Sequence, residues 1–173
     1  MRTRLLPLIG ILLTLAVLAG LHARPFPPLE HPPSDTRVVF LVRHADTPED
    51  AARDPELTDA GHARAAELAR TLIAEPLAAV YVTATNRSHQ TAAGLAVEPT
   101  EYAPMDADAL AIEIQKHPVN SSVLVVAHSN TLPLILAALG GPIIDDLPHD
   151  AFDRLYAVVM QDGEHVRTLK LRY

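Results

Sequence analysis

Three short apolar runs in this chain break into polar residues in the same way. Val38 to Val42 leads into Arg43, His44 and Asp46, and Ala79 to Val82 leads into Thr83, Thr85, Asn86 and Arg87. Val123 to Ala127 leads into His128, Ser129 and Asn130. Continuous Val-rich runs of this length read as strands buried on both faces. Between them lie Ala-rich helical patterns punctuated by Gly and Pro. The pattern predicts strands at 37–43, 78–83 and 122–127, and helices at 59–75, 87–96, 108–117 and 131–140. Strands alternating with helices imply a three-layer α/β/α sandwich around a mostly parallel sheet. Near the end, LYAVVM (155–160) and HVRTLKL (165–171) flank Asp162-Gly163. That dipeptide is a strong turn signal, so an antiparallel hairpin is expected at the sheet edge.

The first residues follow another pattern. Arg2 and Arg4 precede an almost unbroken apolar segment from Leu5 to Leu21, matching the basic and apolar regions of a secretion signal. Ala19 or Ala23 could close a cleavage site. A run of about 17 residues also meets the lower limit for spanning a bilayer, so residues 1–23 read as a signal peptide or an uncleaved signal anchor. Ala23 to Asp35 carries five prolines, and residues 24–35 read as a semi-extended linker. Residues 36–173 suffice for one domain with a single core. The expected location is extracytoplasmic, periplasmic or secreted, with membrane attachment where the N-terminal segment is retained.

Composition changes this picture only at its margins. Cysteine is absent, which excludes disulfide staples and thiolate metal sites and suits an oxidising compartment. The net charge of −7 falls to about −9 when Arg2 and Arg4 leave with residues 1–23, which disfavours nucleic acid as a partner. Against that acidic body, the cations at the strand ends stand out. Ligands of open α/β sheets bind beyond the carboxyl ends of the strands. Arginine offers a planar fork of donors for phosphate oxygens, and helix amino-termini add backbone N–H groups. The expected ligand is therefore a phosphorylated substrate. Histidine is abundant, but no H-E-x-x-H or similar ligand spacing occurs, and no metal or other cofactor is expected. Ser129 is not a nucleophile elbow, because Ala127 and Thr131 stand where G-x-S-x-G requires glycine.

The motifs RHADT (43–47), RSHQTA (87–92) and VVAHSNT (125–131), in that order, together resemble the histidine phosphatase superfamily, also called phosphoglycerate mutase-like. LTDAGHARAAELARTL (57–72) is similar to the helix that follows the family's first motif. The resemblance runs through most of residues 37–141. It implies that His44 is the nucleophile and forms a phosphohistidine, while Arg43, Arg87 and His128 bind the transferring phosphoryl oxygens. Chemistry independent of the resemblance agrees, since phosphoryl transfer asks mainly for positioning and for cations around the equatorial oxygens.

Two departures from the family pattern matter. Thr83 and Ala84 replace the usual Ser-Pro, leaving Thr83 part of that contact and Asn130 a further candidate for the site. The acid expected after the second motif, which protonates the leaving oxygen, has no clear counterpart. Among Glu98, Glu101, Asp106 and Asp108, the expectation falls on Asp106, although DADAL (106–110) also reads as a helix start capped by Asp. Asp46 is a lesser candidate. His62, His117, His149 and His165 lie outside the motifs and read as surface residues, and His89 as either a surface or a pocket residue. The short segment from Gly94 to Asn120 leaves little material for a lid, so a shallow, open site of the small phosphohistidine-phosphatase type is expected. The implied activity is an exported, metal-independent phosphomonoester phosphatase acting on phosphate presented by a bulky carrier. A catalytically weak phosphate-binding module and a phosphoglycerate-type mutase are the alternatives.

Overall fold

The computed structural model describes residues 35–49 and 53–173. The proposed signal segment and all of the linker but Asp35 lie outside the described residues. Strand β1 (Thr36–Arg43) is the centre of the sheet, and Val39, Leu41 and Val42 on it are wholly inaccessible to solvent. Burying each such side chain stabilises the fold by about 1.5–3 kcal/mol. After β1 the chain forms α1 (Asp59–Thr71), β2 (Leu77–Val82), α2 (Asn86–Ala92), β3 (Pro99–Glu101), α3 (Ala107–Gln115), β4 (Ser122–Ala127) and α4 (Leu132–Ala138). It closes with β5 (Arg154–Gln161) and β6 (Glu164–Arg172).

The sheet order is β3-β2-β4-β1-β5-β6. The β3–β2, β2–β4 and β4–β1 pairs are parallel, whereas β5 runs antiparallel to β1 and β6 antiparallel to β5. The expected mostly parallel sheet with an antiparallel edge hairpin is thus the observed one. Alternating residues of the central strands face two helical layers. Val39, Leu41, Val123 and Val125 pack with Leu110 and Ile114 of α3 and Leu132, Ile135 and Leu136 of α4. Phe40, Val42, Leu124 and Val126 pack with Leu68 of α1 and Ala92 of α2. Strands buried on both faces cannot alternate in polarity, which is why their sequences are unbroken apolar runs.

The element boundaries have local causes. Asp162 and Gly163 both take positive φ, 54° and 83°, the requirement of a tight hairpin whose twist matches its strands. Helix α4 stops short of the expected residue 140 because Gly140, at φ 75°, reverses the backbone. The Gly140 and Gly141 N–H groups then donate to the carbonyls of Ala137 and Leu136, completing a Schellman cap. Helix α2 likewise ends at Ala92, short of the expected residue 96. Strand β3 has only three residues and begins with Pro99, too little to register as an apolar run. Among the described residues no helix is long and apolar enough to cross a membrane.

Candidate active site

The carboxyl ends of β1, β2 and β4 lie side by side because β4 inserts between the other two. Each delivers one part of the site. Arg43 is the last residue of β1, paired with Ala127 at the end of β4. The His44 N–H donates to the Ala127 carbonyl at 2.9 Å and carries the ladder one residue further. His128 follows β4 directly, and Arg87 lies in the first turn of α2, just beyond β2. Arg43, His44, Arg87, His128 and Asn130 line one cavity of about 430 Å³. Its lining is chiefly polar.

His44 is 5 % exposed, and its Nδ1 lies 2.8 Å from its neighbour's carbonyl, Ala45 O. A carbonyl only accepts, so Nδ1 carries the proton and Nε2 carries the lone pair. Burial, with Arg43, His128 and Arg87 adding to it, pushes the His44 pKa down to about 3 against the opposing pull of that hydrogen bond. The ring is neutral at physiological pH. The His128 ring centroid lies 5.4 Å from that of His44. Burial, Arg87 and Arg43 lower the His128 pKa to about 4.

Both arginines are held before any ligand arrives. Arg43 Nη1 donates to the carbonyls of His149 and Pro148 at 2.8 and 3.2 Å, and its guanidinium carbon lies 4.0 Å from the centre of the Phe152 ring. Arg87 pairs with Asp54 at 3.5 Å and donates to the Arg53 carbonyl. The buried Nε of each arginine has no acceptor among the described residues. Arg53 itself lines the cavity and makes a third guanidinium.

Several side chains that hold this arrangement in place carry no obvious chemistry in the sequence. Thr91 Oγ1 accepts from the Ala45 N–H at 2.9 Å, and Gln90 Oε1 accepts from the Leu57 N–H at 2.8 Å. The QTA of the second motif thereby fixes the loop that follows His44. Thr58 caps α1 and donates through its N–H to the Asp46 carbonyl at 3.0 Å. Gly61 packs so tightly there that an added Cβ would meet Asp46 O at 2.3 Å. Arg64 grips the Asp46 carboxylate with Nε and Nη2, at 2.5 and 3.3 Å. Asp46 is thus the anchor of α1 and does not line the cavity.

The remaining sequence candidates divide. Thr83 is buried and off the cavity wall; its Oγ1 lies 3.0 Å from His128 Nε2 and orients that ring. Asp106 caps α3, accepting from the Ala109 N–H at 3.1 Å, and lines surface clefts beside α3 instead of the His44 cavity. His149, expected at the surface, is exposed and also lines the cavity, brought there by the loop from Gly141 to Asp153. Pro104 and Met105 line the cavity as well. His117 is half-buried with Nε2 2.8 Å from the Tyr81 hydroxyl, and His89 pairs at the surface with Glu101. Among the described residues no three His, Asp or Glu side chains converge closely enough to hold a metal ion.

The family model of the histidine phosphatase superfamily (branch 1) matches residues 39–113. No curated protein matches in sequence. Solved structures match the chain throughout their length. The protein histidine phosphatase SixA complexed with tungstate aligns with a TM-score of 0.66 at 22 % identity, covering 78 % of this chain and 96 % of that one. A SixA described as a phosphohistidine phosphatase, from Nakamurella multipartitia, gives 0.59 at 20 % identity over 79 % and 97 %. A mycobacterial glucosyl-3-phosphoglycerate phosphatase gives 0.54 at 15 % identity over 80 % and 98 %. At these identities the likeness is one of fold.

Proposed function

We propose, from residues 39–113 that carry the histidine phosphatase superfamily pattern and from a fold shared with phosphohistidine phosphatases, that the protein is a phosphomonoester phosphatase working through His44. The observation that carries this reading is the state of His44. With Nδ1–H committed to the Ala45 carbonyl, the Nε2 lone pair of a neutral ring is available beside Arg43, Arg53 and Arg87.

In this reading Nε2 attacks phosphorus, the bond to the leaving oxygen breaks, and water then hydrolyses the phosphohistidine. A covalent intermediate splits one difficult displacement into two easier ones. Arg43, fixed by two carbonyls, and Arg87, fixed by Asp54, stabilise charge on the equatorial oxygens without reorganising at the moment of reaction. His128, oriented by Thr83, closes the same oxygen cage. Asn130 at the rim meets the non-reacting part of the substrate. The reaction derived from these groups needs no metal.

The rim residues Pro48, Pro55, Pro104 and Met105 surround an open mouth. Such a site accepts a phosphoryl group while its carrier stays outside, as with a phosphorylated protein, glycan or lipid headgroup. The N-terminal signal segment puts that carrier outside the cytoplasm, with membrane attachment when the segment is kept. The test is a panel of phosphomonoesters and a phosphohistidine-bearing protein, offered to the purified protein. Turnover of carrier-linked phosphate above that of small metabolites supports the assignment, and silence on every member sinks it. One observation favours a second reading, a phosphate-binding module of feeble activity: Asp106 is engaged as a helix cap. Phosphate binding without turnover of even an activated aryl phosphate would support that module.

A further inference from the structure

The phosphatase reading leaves one role empty, since an alkyl leaving group needs a proton as its bond to phosphorus breaks. We propose that Glu49 supplies it. Among the described residues Glu49 is the one carboxylate lining the His44 cavity. Asp150, whose charge reaches Arg43, lines a separate cleft beside Arg64 and Arg154, and the remaining acids near the site are engaged elsewhere. Asp46 is gripped by Arg64, Asp54 accepts from the Asn86 N–H and pairs with Arg87, and Glu101 pairs with His89. Glu49 has no hydrogen bond or ion pair among the described residues and is exposed at the mouth. That is where the leaving group must lie if phosphorus faces His44.

A carboxyl group there can alternate between two states. In the first step the His44 Nε2 lone pair forms the N–P bond. The P–O pair departs with the leaving oxygen, and that oxygen takes the Glu49 proton to become an alcohol. In the second step water bonds to phosphorus and gives its proton to the Glu49 carboxylate. The N–P pair returns to Nε2, and inorganic phosphate leaves. The acid thus lies five residues after the nucleophile, on the loop that leaves β1, instead of following the second motif.

The assignment rests on the phosphatase reading, and the two fail differently. With the full-length protein, wild-type and His44→Ala are first compared on an aryl phosphate; no His44-dependent turnover overturns both. Glu49→Gln is then measured on phosphomonoesters graded from alkyl to nitrophenyl leaving groups. The expected result is a fall of about 100-fold or more in kcat/KM for alkyl esters, at least tenfold larger than the fall for nitrophenyl phosphate. Glu49→Asp should restore part of the alkyl activity. Equal slowing of both ester types, no slowing, or the selective effect appearing in Asp106→Asn instead, would overturn the assignment of Glu49 while leaving His44 in place.

Discussion

His44 differs from an ordinary histidine in two respects, its burial and its hydrogen bond, and each has a measurable consequence. Its pKa is lowered to about 3 and that of His128 to about 4, both chiefly by burial. Neither ring should titrate between pH 5 and 8 in an NMR titration; a resonance of either ring moving near pH 6.5 would contradict the burial argument. The sign for stability follows. In the unfolded chain both rings bind protons below about pH 6.5, whereas in the folded chain they stay neutral. Stability is therefore full above that pH and is lost as pH falls toward 4. The acid-induced fall in melting temperature should be smaller in His44→Asn than in wild type. Arg43, His44, Arg87 and His128 were legible in the sequence because charged groups following apolar runs are conspicuous. The side chains that hold them, Gln90, Thr91 and Arg64, were not, since a hydrogen bond across 46 residues leaves no trace in local pattern. Asp106 was legible as a cap and as an acid at once, and only geometry separates a carboxylate on its own helix from one in the cavity.

At the scale of elements, the loop after β1 is held between α1 and α2. Helix α1 presses Gly61 against the Asp46 carbonyl, while α2 supplies Thr91 to the Ala45 N–H. Thr91→Val leaves that buried N–H without its acceptor, at a cost of about 1–3 kcal/mol. Because the same N–H belongs to the residue that orients His44, kcat should fall more than KM rises. Thr91→Ser should restore both stability and kcat; a Val variant with wild-type kcat would show that the contact supports the fold alone. The strands and helices themselves were readable because burial on both faces imposes continuous apolar runs and because glycine marks the helix ends. The three-residue β3 was not readable, as main-chain pairing with β2 defines it and side-chain pattern does not. The wall from Gly141 to Asp153 was missed for a related reason. A segment of prolines and acids reads as loop, yet its carbonyls fix Arg43 and its His149 lines the cavity.

For the whole molecule, the order of strands explains why one site forms: β4, late in sequence, lies between β1 and β2 and brings three polar breaks to one edge. The proposal of export adds that this site works outside the cytoplasm. Residues 1–35 fused to a reporter active only after export should give signal, and a stable but silent fusion would refute that proposal. The central claim concerns His44. Attack by Nε2 leaves an N-linked phosphoryl group that survives alkali and is released by acid, the reverse of a phosphoserine. Rapid quenching of the protein during turnover of a labelled phosphomonoester should therefore trap alkali-stable, acid-labile phosphate on the peptide containing His44. His44→Ala should abolish both the label and turnover while Arg43, Arg87 and His128 remain. If that variant keeps more than about a hundredth of wild-type kcat, a barrier change of under roughly 3 kcal/mol, His44 is not the nucleophile.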